Sequence, residues 1–374
     1  GDVDRMTGAK GFWDRGRATR PPVAGWDRSR PGIRPIHRWR RAIAVAAIGL
    51  LLVGGVGYAA AGAFVANQVL RVDAMCGGRF ADHDPGHWDT DGISAEFALD
   101  LDTTPYLMPA FADVTFPSRD ERRYTLHAWW VPAASPTAPV VILVHGQSSC
   151  RRDPVLLLPA GMLHRNGFSV LLVDLRDHGD SEVEDGRYAN GTEEYLDVLG
   201  AWDWLTGTRG IPAGRVGLLG ESLGAAVAII AAGEEPRLAA LWEGSSYANY
   251  RTIANEELRR LGYPTLLMDA GVLMDRVMTG DDVTSKNPDG EIARMAGRPL
   301  FIVHGEADVR INVHHAYDLA AAAAAGGTPV EPWIVPGAHH SEAAFIDPTA
   351  YERRLSEFFI AALASETALP QSGG

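Results

Sequence analysis

The stretch VGLLGESLGAAVA, residues 216–228, decides the fold of this chain. Its first half is a short apolar run typical of a buried strand, and the alanine-rich continuation after Ser222 is typical of a helix with a small-residue face. Ser222 therefore lies in the turn between strand and helix. Gly220 and Gly224 relieve the crowding of so sharp a turn, which predicts a nucleophile elbow. The alternative is that Ser222 only caps the helix.

The elements around this turn alternate between strand-like and helix-like stretches from about Ala112 onward. Two antiparallel strands are predicted first, FADVTFPS and YTLHAWWVP. The later strands are predicted at VVILVHG, FSVLLVDL, VGLLG, LAALWEG, PLFIVHG and VEPWIVPG, with helical stretches between them. Strands that alternate with helices of ten or more residues indicate an α/β fold with a mostly parallel sheet and helices on both faces.

A serine nucleophile needs a base to take its proton and a carboxylate to orient that base. In folds with a nucleophile elbow the chain order is Ser, then Asp or Glu, then His. Asp308 follows the strand PLFIVHG, and His340 follows the strand VEPWIVPG. Both residues therefore leave the carboxyl ends of late parallel strands, at the same edge as Ser222.

Several further stretches, spread over about two thirds of the chain, resemble those of one family. They are VTFPSRD, LHAWWVP, VILVHGQSS, VLLVDLRDHGDS, GLLGESLGAA, FIVHGEAD and GAHHSEA. The chain from Ala112 to Ser365 resembles an α/β-hydrolase of the serine type. The apolar N-terminal segment together with VTFPSRD is similar to the membrane-anchored subgroup of that family, which has a small cap. The resemblance implies Ser222 as nucleophile, Asp308 as acid and His340 as base. It also implies an oxyanion hole made by the backbone N–H groups of Gln147 and Leu223.

Three other residues compete for these roles. His339 precedes His340 directly, and His340 is preferred because the family pattern places a serine after the base. Glu306 lies two residues before Asp308, and Glu243 ends the strand LAALWEG, so either is an alternative acid. His145 and His304 are interpreted as structural residues.

Charge is distributed very unevenly along the chain. Residues 1–41 carry eleven Lys or Arg against four Asp, a net charge of +7, so a total of −13 leaves −20 for residues 42–374. An acidic main domain argues against nucleic-acid binding. The first 41 residues are predicted to form a basic disordered tail.

The 25 residues from Ala42 to Ala66 are uncharged and almost wholly apolar, which predicts a transmembrane signal anchor over residues 42–70. Three arginines precede this run, so the tail is expected in the cytoplasm and the rest outside it. A cleaved signal peptide, with secretion of the remainder, is the alternative. The remaining chain is then divided into a linker over 71–111, a hydrolase domain over 112–365 with a cap at about 247–297, and a disordered tail over 366–374.

The two cysteines, Cys76 and Cys150, are expected as free thiols, because their predicted surroundings give no reason for contact. No cofactor is expected, since no dinucleotide or phosphate fingerprint is present. No metal is expected either, because His314 and His315, like the pair at 339–340, are adjacent in sequence and adjacent side chains on a helix do not face each other.

Substrate and partners follow from this interpretation. The predicted function is hydrolysis of a small carboxylic ester through an acyl-enzyme, with the lipid bilayer as a second partner through residues 42–70. Apolar residues between Leu261 and Met278 line an acyl pocket or pack the cap on the core. The alternatives are a peptidase, a thioesterase, an acyltransferase and an inactive binding protein. The oligomeric state is not predicted.

Overall fold

The computed structural model describes residues 36–73, 76–90 and 101–363. The chain divides into two units, Gly1–Val53 and Gly54–Gly374. The predicted C-terminal tail and most of the predicted basic tail lie outside the described residues. Among the described residues, the first unit holds the beginning of one long helix, and the second holds the rest of that helix and the α/β domain.

One eight-stranded sheet organises the second unit. Its strands, in chain order, are β1 Ala112–Pro117, β2 Thr125–Val131, β3 Val140–Val144, β4 Ser169–Val173, β5 Val216–Glu221, β6 Ala240–Gly244, β7 Leu300–Gly305 and β8 Trp333–Val335. They lie in the order β1-β2-β4-β3-β5-β6-β7-β8. β2 is antiparallel to both β1 and β4, and all other neighbours are parallel. The predicted α/β-hydrolase fold with a mostly parallel sheet is therefore confirmed.

Helices precede, connect and follow these strands. They are α1 Ile36–Leu70, α2 Cys76–Arg79, α3 Pro154–Arg165, α4 Tyr195–Asp203, α5 Leu223–Glu234, α6 Tyr250–Arg260, α7 Leu267–Thr279, α8 Pro288–Ile292, α9 His314–Ala325, α10 Ala343–Ile346 and α11 Pro348–Leu363. α6, α7 and α8 all lie within the range predicted for the cap. Of these, α8 packs on α5 and α9.

Successive residues of the central strands supply opposite faces of the sheet, because side chains alternate along a strand. Ile142 and Leu218 belong to one apolar cluster, and Leu143 and Leu219 belong to the other. All four side chains are fully buried. A sheet covered on both faces needs continuous apolar strands, and this is the pattern of β3 and β5.

α1 is the one helix, among the described residues, that is long and apolar enough to cross a membrane. The apolar segment is Arg38–Leu70, with a mean hydropathy of 2.2. Its final turns are packed against the rest of the protein, since Val65, Ala66 and Leu70 are buried. The carbonyl oxygen of Leu70 accepts a hydrogen bond from the backbone N–H of Tyr188 at 3.0 Å. The end of α1 is thus part of the second unit's packed structure.

Cys76 and Cys150 form a disulfide bond, with their Cα atoms 5.8 Å apart. The expectation of two free thiols is wrong. Phe80 packs with both cysteines, so the segment after α1, which was expected as a linker, is attached to the loop that follows β3. The two residues are 74 positions apart in sequence, and no local pattern brings them together.

Replacing both cysteines by serine is expected to lower the free energy of unfolding by about 4 kcal/mol, because a crosslink across a loop of this length restricts the unfolded chain. Denaturant unfolding of the full chain in detergent measures the change. Wild-type protein treated with a reductant serves as the control and should match the variant. Equal midpoints for oxidised wild type and the double variant would contradict the expectation.

Candidate active site

Ser222 occupies the tight turn between β5 and α5. Its backbone has φ 58° and ψ −122°, a region that costs free energy for a residue with a side chain. Its N–H donates to the carbonyl oxygen of Gly244 at 2.8 Å, and its own carbonyl oxygen accepts from Ala225 N–H at 3.0 Å. The turn is therefore held from both sides, and the serine side chain stands at the carboxyl edge of the sheet.

Both elbow glycines are required by close approach of backbone atoms. A Cβ on Gly220 would lie 2.6 Å from the Cα of Ala225, and a Cβ on Gly224 would collide with the carbonyl oxygens of Val144 and His145. Any side chain would push α5 away from β3 and β5. This close approach is the physical reason for the glycine spacing that the sequence shows.

Asp308 and His340 are brought to Ser222 in a hydrogen-bonded row. The Nδ1–H of His340 donates to Oδ2 of Asp308 at 2.8 Å. Nε2 of His340, left with its lone pair, accepts from the hydroxyl of Ser222 at 2.8 Å. A histidine held in this tautomer can take the serine proton during attack on a carbonyl carbon.

The competing residues lie elsewhere. The Nδ1–H of His339 donates to the carbonyl oxygen of Ala307 at 2.9 Å. Glu306 is exposed, and its carboxylate accepts from Gly337 N–H at 3.3 Å. Glu243 is fully buried and accepts from Ser246 N–H at 3.1 Å.

The charge of Asp308 is stabilised by several donors. The backbone N–H groups of Arg310 and Ile311 donate to its Oδ1 at 2.9 and 2.8 Å. The Nε2 of His304 lies 3.4 Å from Oδ2. Burial alone would raise the pKa of Asp308, but the hydrogen bonds from His304 and His340 lower it well below its ordinary value. Asp308 is therefore ionised across the working range of pH.

Gln147 and Leu223 line the same cleft as Ser222. Among the described residues, neither the N–H of Gln147 nor that of Leu223 has a hydrogen-bond partner. Leu223 begins α5, where the N–H groups of the first turn have no acceptor within the helix. The turn at Gly146 lies against the serine, since a Cβ on that glycine would be 3.2 Å from Cβ of Ser222. Two free donors beside a nucleophile are what an oxyanion hole requires.

A pair of buried histidines supports the loop that carries Gln147. The Nδ1–H of His145 donates to Gly146 O at 2.8 Å, and its Nε2 accepts from Leu175 N–H at 3.1 Å. His178 accepts from Ser148 N–H at 3.3 Å. Burial lowers the pKa of His145 to about 4 and that of His178 to about 3, so both rings are neutral. His178 was missed by the sequence analysis; its only signal was its place in LRDHGDS.

A cleft of about 650 Å³, open to solvent, lies beside Ser222. Its wall is largely apolar and aromatic, with contributions from Val69, Leu223, Ile253, Ile311, Tyr188, Tyr247 and Tyr250. Gln68 and Val69 come from the last turn of α1. Tyr188 donates its hydroxyl to the carbonyl oxygen of Val69 at 2.5 Å, and Gln147 donates its side-chain amide to the same oxygen at 3.2 Å. The apolar N-terminal helix thus ends in the wall of the site, which the sequence analysis did not predict.

His314 and His315 lie near one another, although adjacent residues on a helix were expected to point apart. Their rings are 4.2 Å apart, and both contact Glu256 of α6. The Nδ1 of His315 accepts from Ala248 N–H at 3.1 Å, so its Nε2 carries the proton and donates to Glu256 at 3.2 Å. With that tautomer the Nε2 has no lone pair for a metal ion, and the cluster serves as a polar contact between the cap and α9.

Two buried acidic residues lie next to the site, on neighbouring strands. Glu221 precedes Ser222, Glu243 lies on the neighbouring strand, and both are buried. Burial, together with the charge of Glu243, raises the pKa of Glu221 to about 8, and burial raises that of Glu243 to about 7. Tyr351 donates its hydroxyl to Glu221 at 3.3 Å. Both carboxyl groups are therefore largely protonated in the folded protein below neutral pH.

This pair predicts a pH-dependent stability. The unfolded carboxyl groups titrate near 4.5, so the folded state binds more protons between about pH 4.5 and 8, and the stability contributed by protonation is lost as pH rises through that window. Glu221→Gln cannot ionise and is expected to unfold at a higher temperature than wild type at pH 9, with a smaller difference at pH 5. Thermal unfolding at both pH values measures this, with the exposed Glu357→Gln as control. A difference that does not change with pH would contradict the expectation.

Comparison with known proteins places this chain in a family. A profile of the prolyl oligopeptidase family matches residues 159–365, more than half of the chain. The chain belongs to the prolyl oligopeptidase family. It is a serine hydrolase of the α/β-hydrolase superfamily. An uncharacterized protein of Mycobacterium tuberculosis is 28% identical to it over 244 residues, covering 64% of this chain and 76% of the relative. The human protein ABHD12B is 30% identical over 192 residues, 48% of each chain.

Two solved structures share the fold of this chain. The esterase Pf2001 of Pyrococcus furiosus aligns with a TM-score of 0.55 and 21% identity, over 75% of this chain and 97% of the esterase. The acylaminoacyl peptidase of Pyrococcus horikoshii aligns with a TM-score of 0.52 and 19% identity, over 70% of this chain and 43% of the peptidase. At this identity the likeness concerns the fold alone.

Proposed function

We propose that this member of the prolyl oligopeptidase family is a carboxylesterase that acts through an acyl-enzyme, with Ser222 as nucleophile, His340 as base and Asp308 as the orienting acid. The observation that carries the proposal is the row of two 2.8 Å hydrogen bonds that joins the three side chains. The free amides of Gln147 and Leu223 are the proposed oxyanion hole.

The proposed reaction uses these residues in two stages. His340 removes the proton of Ser222 as its Oγ bonds to the ester carbon, and the carbonyl oxygen takes up negative charge beside the two amides. The ionised Asp308 stabilises the imidazolium that forms. The carbon–oxygen bond of the leaving alcohol then breaks, and His340 returns the proton to that oxygen. Water, deprotonated by the same histidine, releases the carboxylic acid and restores Ser222.

The pocket wall favours an ester with an apolar acyl group over a peptide. The three tyrosines and the aliphatic residues around the cleft offer contact to hydrocarbon, and burial of apolar area is the main source of affinity for such a group. Glu257 and Arg310 are the charged side chains in the same lining. Glu257 accepts two hydrogen bonds from Arg260, and Arg310 donates to the side chain of Gln147 at 3.2 Å, so both charged groups already have partners and neither is a dedicated site for a peptide terminus.

We also propose that α1 anchors the enzyme in a membrane, with the basic tail in the cytoplasm and the catalytic domain on the opposite side. The apolar segment Arg38–Leu70 is long enough to cross, and three arginines lie at its start. The disulfide between Cys76 and Cys150 supports this orientation, because disulfides persist in oxidising compartments outside the cytoplasm.

Hydrolysis of p-nitrophenyl esters of increasing chain length, by the full chain in detergent, tests the function. Peptide p-nitroanilides are tested beside them. We expect turnover of the esters with a preferred acyl length. Turnover of the anilides alone would show a peptidase, and labelling by a fluorophosphonate without turnover of either class would direct the search to thioesters or acyl transfer.

The two adjacent histidines provide a matched pair of variants. His340→Ala is expected to lower kcat by a factor of about 10⁴ or more, because the serine loses its base. His339→Ala removes the contact with Ala307 and leaves the hydrogen bonds among Ser222, His340 and Asp308 in place, so it is expected to retain activity within about tenfold. The kcat of both variants on the preferred ester is the measurement. Equal losses would contradict the assignment of His340 as base.

A further inference from the structure

The cap helix α7 carries an exposed apolar stripe. Leu266, Leu273 and Val277 are 64, 58 and 67% exposed. They are separated by seven and four positions, so they share one face of the helix. Ala270 lies on the same face but is buried. Large apolar side chains exposed in a row indicate an interaction surface.

The stripe runs beside α1. Ala270 is covered by Gly62, where any added Cβ would lie 2.7 Å from the Cβ of Ala270. The hydroxyl of Tyr58 donates to the carbonyl oxygen of Leu266 at 2.8 Å. Phe64 and Tyr263 meet edge to face, with ring centroids 6.2 Å apart. The residues of α1 that contact the cap are therefore positions 58 to 65, all within the second unit.

Counting along the chain places these contacts at a membrane surface. A helix needs about 20 residues to cross the hydrocarbon core, so a span that begins at Ala42 ends near Ala61. This is the part of α1 that packs against α7. Tyr58 and Tyr263 lie at the junction, and tyrosine is enriched at the level of the lipid head groups. The exposed stripe of α7 must then lie close to the same level.

We propose that the apolar stripe of α7 is a second membrane contact, inserted at the boundary between head groups and acyl chains of the bilayer that α1 spans. The inference rests on the proposed membrane anchor. It explains why three large apolar side chains of the predicted cap are more than half exposed. It also puts the substrate cleft, whose wall includes Val69 of α1 and Ile253 of α6, next to the lipid surface.

Site-directed fluorescence on the full chain tests the contact. The sequence has only two cysteines, and both are in the disulfide, so a single introduced cysteine is the one reactive thiol. Leu273→Cys is labelled with an environment-sensitive dye and reconstituted in phosphatidylcholine vesicles. Leu50→Cys, within the apolar segment, reports the span, and Ile360→Cys, an exposed apolar position on α11, is the matched control.

We expect lipids brominated on the acyl chain to quench the dye at positions 273 and 50 at least twofold more strongly than at position 360. Quenching at 50 but not at 273 would overturn the membrane contact of α7 and leave the anchor standing. No quenching at any position would overturn both. Crosslinking between L273C chains, without lipid quenching, would show that a second copy covers the stripe. Ester hydrolysis by the same samples reports the proposed activity independently of all these outcomes.

Discussion

Ser222→Ala is expected to reduce kcat for ester hydrolysis by a factor of about 10⁴ to 10⁶. The variant keeps the elbow and removes only the hydroxyl that donates to His340 at 2.8 Å. Among the described residues, Ser222 carries the hydroxyl group that is hydrogen-bonded to Nε2 of His340. The measurement is the initial rate on the preferred p-nitrophenyl ester, together with labelling by a fluorophosphonate.

The control for this variant is Ser135→Ala, in an exposed loop between β2 and β3. It should keep wild-type rate and labelling. The thermal midpoint of Ser222→Ala should be no lower than that of wild type. The positive φ at position 222 lowers the stability of the folded state for alanine as it does for serine, so the substitution adds no new backbone strain. Persistent turnover and labelling in a folded Ser222→Ala protein would refute the mechanism.

Among single substitutions, Gly224→Ala is expected to have the largest effect on stability, lowering the free energy of unfolding by about 3 kcal/mol or more and removing most of the activity. The new methyl group would meet the carbonyl oxygens of Val144 and His145, which are backbone atoms and cannot rotate away. Relief requires a shift of the N-terminus of α5, which also moves the N–H of Leu223 relative to Ser222. Denaturant unfolding and ester kinetics on the same sample measure the two effects.

Gly214→Ala is the matched control, because the space around a Cβ at that position is open within the described structure. It should unfold within about 1 kcal/mol of wild type and retain full activity. If Gly224→Ala behaved like Gly214→Ala, the close packing of the elbow against β3 would be wrong.

The strands, most of the helices and the elbow could be predicted because their signals are local. An apolar run of five residues such as β3 forms a buried strand wherever it lies in the sheet. A serine with a glycine two residues away on each side predicts the turn from its own neighbours in sequence. α8 could not be assigned in this way. Its five residues look like part of the cap, and only packing against α5 and α9 places it in the core layer.

By itself, the sequence determined that a serine elbow, an aspartate and a histidine after the last two strands, and a long apolar segment are present. Each of these features can be recognised from a short run of consecutive residues. Only the tertiary structure decided which of two adjacent histidines meets a serine 118 positions away, that the two cysteines pair, and that the last turn of α1 forms part of the pocket wall. Neighbouring side chains leave a turn in different directions, and contacts between distant segments depend on how the whole chain packs.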